Sequence, residues 1–314
     1  MAYLIPVLWV VASLLFGLLH ATPGGPIMAL AGDFADADTV KSIKQRLGLD
    51  RPVHEQYFLF LGALAQGDLG QSFFYKAPVL DVILARIPAT SILVLPSLFL
   101  AGLIGVPLGI WATRQRLAQL LTGGLALAML VIPVFWLGHV LRLGLSVWLG
   151  LLPVQGMTNP RIAATGFAGV ADIARHAALP VLTLTLNQLA MIIVLTRSSV
   201  AAVKLRPFFQ TALMKGASLS RAEFWHALPN GSLPVVTLFA NRIGWFVAGT
   251  VLVETLFAWP GLGQLVTSAI ANRDRPLVIG IVLCVTLVTL AANLLADLYA
   301  LWLDPRIEPC RRPL

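Results

Sequence analysis

The sequence is poor in charged residues and in cysteine. Only 11% of its 314 residues are charged, whereas 58% are apolar, and a typical soluble domain carries about 25% charged residues. So few charges cannot coat a water-facing surface, which argues against a soluble protein. The two cysteines argue against a disulfide framework and against a thiolate metal site. The composition therefore predicts a polytopic protein whose main surroundings are the lipid bilayer.

The sequence also lacks the motifs of catalysis, metal binding and nucleotide binding. It has no G-x-x-x-x-G-K-S/T phosphate loop and no H-E-x-x-H zinc motif, and its five histidines are scattered. The net charge of +8 is spread between apolar runs rather than gathered in an aromatic-rich basic patch, so nucleic acid is not an expected partner. We predict no catalytic activity, no cofactor and no metal site in this chain.

Six apolar runs are long enough to cross the hydrocarbon core of a membrane, which needs about 20 residues per helix. Backbone groups in lipid must bond within their own segment, so each run is predicted to be a helix. The first run could be a signal peptide, but it lacks a basic start and is interpreted as a retained helix. The predicted spans are residues 3–21, 89–113, 117–148, 177–196, 233–257 and 277–303.

The segments around these spans give a predicted orientation and domain order. Basic residues in the short loops, among them Arg114, Arg116 and Lys204, place both termini in the cytoplasm. Residues 1–21 form the first helix, 22–88 an extracytoplasmic helical insertion, 89–303 the transmembrane core and 304–314 a cytoplasmic tail. Two amphipathic helices are predicted in the insertion. The first has Val40, Ile43 and Leu47 on one face, and the second, which Pro52 opens, has Val53, Tyr57, Phe60, Leu61 and Leu64.

Residues 204–230, between the fourth and fifth spans, form the most distinctive polar segment. Pro207 fits a first helical position, and Gly216 can end that helix in a left-handed conformation. Ser220 and Glu223 match a capping box, which predicts a second short helix to about residue 226. Such a two-helix unit could dock on another protein or rest on lipid headgroups, and the pattern alone leaves both readings open.

This segment resembles the EAA loop of permease subunits in bacterial ATP-binding-cassette importers. Residues 210–212, Gly216 and residues 228–229 stand at the motif's Glu-Ala-Ala, glycine and Leu-Pro positions, although Gln210 lacks the acidic group. The resemblance implies a coupling helix that binds a partner ATPase, and we call residues 204–230 the coupling loop. The implied coupling residues are Gln210, Thr211, Ala212, Lys215, Gly216, Ala217, Ser218 and Leu219.

A second motif, residues 254–263, follows the fifth span. By itself it indicates a helix end, an interfacial aromatic pair of Phe257 and Trp259, and a Pro-Gly turn. It resembles a hallmark of the dipeptide, oligopeptide and nickel class of permeases, in which it implies a re-entrant or gating segment. Residues 67–70, 86–90 and 195–199 are similar to stretches of the same class. The gate candidates are Glu254, Trp259, Pro260 and Gly261.

Four charged residues fall within the predicted spans, where a charge normally marks pairing or function. Arg142 and Glu254 lie near the outer ends of their spans, with no partner predicted for Arg142, whereas Arg242 and Asp297 lie deeper. Arg242 and Asp297 lie at depths that differ by about one helical turn, so they could pair. Alternatively, Arg242 lines a pore and meets a substrate carboxylate, or extends towards the interface. Small residues in the second and third spans, among them Gly105, Gly109 and Gly138, are interpreted as close helix packing rather than as hinges.

The resemblance implies a permease subunit of the bacterial inner membrane that forms half of the translocation pore for di- and oligopeptides. Its implied partners are a second homologous permease subunit, two ATP-binding subunits and an extracytoplasmic solute-binding protein. The same kind of permease for nickel chelates, opines or oligosaccharides remains an alternative. So does a self-contained ion-coupled carrier, although the buried acid pairs expected of proton-driven carriers are missing.

Overall fold

The structure, a computed structural model, describes residues 4–21, 50–161 and 165–303, without the side chains of residues 4, 5, 19, 21, 239–249 and 303. The regular elements in these ranges are helices. In chain order they are α1 (Leu4–Ala21), α2 (Val53–Ala65), α3 (Val79–Leu84), α4 (Ile87–Trp111), α5 (Arg116–Val131), α6 (Val134–Leu141), the π-helical segment Arg142–Trp148, α7 (Gly166–Lys204), α8 (Pro207–Met214), α9 (Leu219–Ala222), the π-helical segment Glu223–Ala227, α10 (Leu228–Gly231), α11 (Leu233–Leu256), α12 (Leu262–Ala271) and α13 (Arg275–Leu303).

The chain divides into two compact units. One comprises Met1–Thr90 with Pro260–Leu290, and the other comprises Ser91–Trp259 with Ala291–Leu314. Two long helices, α4 and α13, contribute residues to both units. The coupling loop belongs to the second unit, and the residues directly after Trp259 belong to the first.

The helices are those of a membrane protein, but they do not fix the number of spans. Within the described residues, three helical stretches are long and apolar enough to cross a membrane, and α5 with α6 adds a fourth if the pair is one span. Helix α12 is apolar but shorter, and both α1 and α11 contain residues whose side chains are not described. The three stretches that are long enough to cross a membrane are Val79–Trp111, which contains both α3 and α4, Gly166–Lys204 and Arg275–Trp302. The six-helix count therefore stays a prediction.

The third predicted span is not one helix, contrary to the sequence-based expectation. Helix α5 ends at Val131, and the chain bends by 102° before α6 begins at Val134. Pro133 explains the break, because it has no N–H and its ring disfavours a helical conformation at the preceding residue. Ile132 is accordingly extended, with φ −72° and ψ 120°.

Helix α7 is the central element of the second unit. It has 39 residues, so it extends well beyond the predicted 177–196 and is about 58 Å long at 1.5 Å per residue. It packs against α5, α6 and α11, and its last residue is Lys204. A single helix therefore runs from the bundle directly into the coupling loop.

Small residues permit close helix contacts in this unit, as predicted. A Cβ atom on Gly109 of α4 would lie 2.6 Å from Cβ of Thr196 and 3.0 Å from the Ile193 carbonyl oxygen, both on α7. A Cβ atom on Gly138 of α6 would lie 2.6 Å from Cδ2 of Leu256. These distances confirm close helix packing at both glycines, most firmly at Gly109, where an added Cβ would meet the backbone of α7. Their role as packing sites rather than hinges stays a prediction.

In the first unit, α2 has the predicted Pro52 start and packs on α1. The ring of Phe16 lies 5.3 Å from that of Tyr57 and 5.6 Å from that of Phe60, and Ser13 Oγ is 2.6 Å from the Tyr57 hydroxyl. This contact partly covers the predicted apolar face, because Tyr57 and Phe60 are half-buried, whereas Val53 of the same face is exposed. The other predicted helix, with Val40, Ile43 and Leu47, lies outside the described residues.

The Gly109 contact makes a test of helix packing. We expect Gly109→Ala to lower stability by about 1–3 kcal/mol, because the added methyl group overlaps atoms of α7. Gly124→Ala in α5 is the matched control, since no neighbouring atom lies within 4 Å of the position that its added methyl group would take. The measurement is the midpoint of thermal unfolding in detergent, followed by size-exclusion chromatography. Equal midpoints for both variants would contradict the packing role.

Candidate functional site

The first helix of the coupling loop forms as predicted. Pro207 occupies its first turn, and the helix ends at Met214. Gly216 has φ 89°, a left-handed conformation that favours glycine. The Ala217 N–H donates to the Ala212 carbonyl and the Gly216 N–H to the Leu213 carbonyl, which satisfies two terminal acceptors of the helix. Gly216 thereby turns the chain back towards α9.

The second helix begins at a different residue from the one predicted. Ser218, not Ser220, is the N-cap, and its side chain accepts a hydrogen bond from the Arg221 N–H at 3.4 Å. The predicted capping box of Ser220 and Glu223 is therefore wrong. Glu223 cannot serve a cap because its carboxylate is turned into the protein and is fully buried.

The buried carboxylate of Glu223 accepts from two cations. Its Oε2 accepts from Arg114 Nε at 2.9 Å and Nη2 at 2.6 Å, and its Oε1 accepts from Lys204 Nζ at 2.5 Å. Arg114 also donates to Ser220 Oγ, and Lys204 to Thr113 Oγ1. We call Arg114, Lys204 and Glu223 the charge cluster. It joins the chain segment after α4, the end of α7 and the second half of the coupling loop.

The charge cluster satisfies groups that would otherwise be costly to bury. An isolated buried partner of an ion pair costs about 3–5 kcal/mol. Side chains of Arg114 and Lys204 are 33% and 17% exposed, so solvent screens each cation in part, whereas Glu223 is 0% exposed. Loss of the pairing would therefore cost the Glu223 carboxylate more free energy than either cation.

Apolar side chains support the coupling loop next to the charge cluster. Phe209 of α8, Ala222 of α9 and Ala227 form one buried cluster with Ile110 of α4 and Val200 of α7. Phe209 is 2% exposed, whereas Gln210, Met214 and Lys215 are exposed, as the predicted helix face requires. The loop thus packs on the ends of α4 and α7 and does not stand free.

The solvent-exposed side of the coupling loop has an open concavity with a volume of about 520 Å³. It carries three basic side chains, Lys215, Arg221 and His226. Among the predicted coupling residues, Gln210 instead donates to the Lys204 carbonyl, and Leu219 is exposed. We call this surface the loop groove, and its lining residues are Phe208, Thr211, Ala212, Lys215, Gly216, Ala217, Arg221 and His226.

The second motif forms hydrogen bonds with residues that are distant in sequence. In the first unit, Arg86 Nη1 donates to the Pro260 carbonyl at 3.3 Å, and the Leu262 N–H donates to Thr90 Oγ1 at 2.8 Å. The resembled segments 86–90 and 254–263 therefore meet at the turn before α12. Gly261 is the N-cap of α12.

The aromatic residues of this motif are not interfacial. Phe257 is 2% exposed and Trp259 is fully buried, so the predicted aromatic pair at the membrane surface is wrong. Interfacial aromatics keep one edge in contact with water and headgroups, which burial prevents. Ala258 between them has φ 50°, and Glu254 is also fully buried.

Sequence reasoning missed Asp274, a fully buried carboxylate in the first unit. Its Oδ2 accepts from Ser72 Oγ at 2.5 Å and from the Phe74 N–H at 3.1 Å, and its Oδ1 accepts from the Leu277 N–H at 3.3 Å. It therefore caps α13 and anchors the loop after Gly70. An Asp directly before Arg-Pro and an apolar run is an N-cap signal that could have revealed it.

The charged residues within the predicted spans are only partly described. Arg142, which had no predicted partner, donates from Nη1 to the Leu256 carbonyl at 3.0 Å, and His139 Nδ1 lies 2.9 Å from the Phe135 carbonyl. Asp297 is exposed on α13. The side chain of Arg242 lies outside the described residues, so its pairing with Asp297 stays a prediction. No cluster of three or more metal-ligating side chains occurs in the described part of the chain.

Comparison with known proteins covers nearly the whole chain. The family model "Binding-protein-dependent transport system inner membrane component" matches residues 105–309, and the model of its N-terminal region matches residues 2–94. The di/tripeptide transport system permease protein DppB of Pseudomonas aeruginosa is 37% identical over 327 residues. The dipeptide permease protein DppB of Escherichia coli and the oligopeptide permease protein AppB of Bacillus subtilis are each 34% identical. Each alignment covers 97% of this chain and 96% of the relative.

The buried Asp274 gives a test of the first unit. We expect Asp274→Ala to lower stability by about 2–4 kcal/mol, because it removes a helix cap and leaves buried donors unsatisfied. Asp81→Ala is the control, since Asp81 is an exposed acid in the first turn of α3. Thermal unfolding in detergent measures both. If Asp274→Ala unfolds no earlier than the control, the anchoring role is wrong.

Proposed function

Because the chain belongs to the family of binding-protein-dependent transport system inner membrane components, we propose that it is a permease subunit of an ATP-driven importer of di- and oligopeptides. Three relatives that match it nearly end to end are named as permease proteins for di/tripeptides, dipeptides and oligopeptides. Their shared substrate class favours peptides over nickel chelates, opines or oligosaccharides. The permease itself supplies a path across the membrane.

The loop groove is the observation that carries the coupling role. It is open to solvent, it is formed by the two helices of the coupling loop, and it contains five of the eight predicted coupling residues. Its basic residues would attract acidic side chains of an ATPase subunit. The buried face of the same loop packs on α4 and α7, so a partner bound in the groove would act directly on the helix bundle.

The proposed assembly has four kinds of subunit. A second homologous permease completes the pore, two ATP-binding subunits bind the coupling loops, and an extracytoplasmic solute-binding protein delivers the peptide. Both termini of this chain then lie in the cytoplasm of a bacterial cell, as the basic loops predict. ATP binding brings the ATPase subunits together, the coupling loops move with them, and the bundles rotate as rigid bodies between inward- and outward-facing states.

The other motif is proposed to contribute to the outer gate. Arg86 and Thr90 hold the turn at Pro260 and Leu262, which supports a fixed orientation of α12. The gate and pore candidates remain Arg242, Glu254, Trp259, Pro260, Gly261 and Asp297. Buried Glu254 and Trp259 are suited to holding the segment in position, whereas exposed Asp297 is proposed to face a pore or a second subunit.

Blocking the loop groove tests the docking role. We expect Thr211→Trp to reduce co-purification of the ATPase subunits about tenfold or more. The indole would occupy the loop groove and block the few contacts that contribute most of the binding energy at a protein interface. Met214→Trp is the matched control: Met214 is on the same helix and 81% exposed, but it does not line the groove. Equal loss of ATPase with both variants would show that the groove is not the docking surface.

Transport by the complete importer tests the substrate. Vesicles that contain this chain, its partner subunits and ATP should take up a radiolabelled dipeptide, and unlabelled di- and tripeptides should compete. Uptake should stop when ATP is omitted. Competition by a nickel chelate, an opine or an oligosaccharide instead of peptides would contradict the proposed substrate class. Accumulation by this chain alone, without nucleotide, would contradict the importer mechanism.

A further inference from the structure

We propose that Glu223 is the positioning residue that makes the coupling loop move as one body with α4 and α7. The proposal rests on the proposed function, because it concerns how movement of the ATPase subunits reaches the pore. It assigns a transport role to a residue that lies outside the loop groove and outside the predicted coupling residues.

The geometry of the charge cluster resists movement in more than one direction. Arg114 approaches one carboxylate oxygen and Lys204 the other, and the two cations come from segments 109 and 19 residues away in sequence. A single contact would leave the loop free to pivot about it. Two contacts from different segments, one after α4 and one at the end of α7, bind opposite oxygens of the carboxylate and remove that freedom.

The apolar contacts alone would fix the loop less firmly. The cluster of Phe209, Ala222, Ala227, Ile110 and Val200 is held together by apolar burial, which is non-directional and tolerates small sliding movements. Hydrogen-bonded ion pairs depend on both distance and angle. Any sliding that separated Glu223 from its cations would leave a buried, unpaired carboxylate.

The position of Glu223 separates transmission from docking. Glu223 is fully buried, whereas the groove lies on the solvent side of the loop. Glu223 begins a π-helical segment, Glu223–Ala227, and such wide turns are frequent at functional positions. A change at Glu223 can therefore alter how the loop is joined to the bundle while the surface that binds the ATPase subunits stays in place.

The test is Glu223→Gln in the assembled importer, which keeps the side-chain shape and removes the charge. We expect the ATPase subunits to co-purify and to hydrolyse ATP, while peptide uptake per ATP falls about tenfold, within the usual range of coupling between two sites. A change that only loosened the fold would lower assembly, hydrolysis and uptake together. Glu55→Gln, an exposed acid of α2, is the control and should leave all three unchanged.

A second variant covers the case in which Glu223→Gln does not fold. Arg114→Gln leaves the Lys204–Glu223 pair intact, so it should fold and should lower uptake per ATP in the same direction but by less. Unchanged uptake per ATP in the variant that folds would overturn the proposal, and so would release of the ATPase subunits. If the unmodified importer shows no ATP-dependent uptake, the proposed function fails instead, so the two failures can be told apart.

Discussion

A carboxylate that is wholly removed from water must be paired, and this requirement fixes the coupling loop. Glu223 lies beside the loop's apolar contact with the bundle, and its two oxygens accept hydrogen bonds from Arg114 and Lys204. Because Arg114 lies just after α4 and Lys204 is the last residue of α7, the pairing joins the loop to two long helices at once. The outer surface of the loop is then free to present the groove residues to another protein.

The same constraint orders the first unit, where apolar helices offer few polar groups to one another. Asp274 is fully buried and accepts hydrogen bonds from Ser72, Phe74 and Leu277. Arg86 is used in a similar way, as a donor to the Pro260 carbonyl. The chain has few charged residues, and Asp274 and Arg86 each form hydrogen bonds with specific partners. They determine how the loops are placed, while apolar packing holds the helices.

The sequence predicts well those features that depend on nearest neighbours along the chain. Pro207 and Gly216 delimit α8 as expected, because φ preferences are local properties of the residue. The close contact at Gly109 also follows from residue size alone. Pro133 is a useful contrast. Its helix-breaking tendency was visible in the sequence, yet a continuous apolar run concealed the 102° bend that it causes.

The sequence by itself determined a helical membrane protein of a transport family and the position of its coupling loop, because composition, apolar run length and local motifs need no partner. Only the tertiary structure decided which serine caps α9 and where Glu223 and Trp259 are buried. Serine is a competent cap at either position. In the structure Ser218 is the cap, and Glu223, the predicted capping-box partner of Ser220, binds Arg114 and Lys204 instead. Burial and charge pairing depend on residues distant in sequence, and these meet only after the helices have packed.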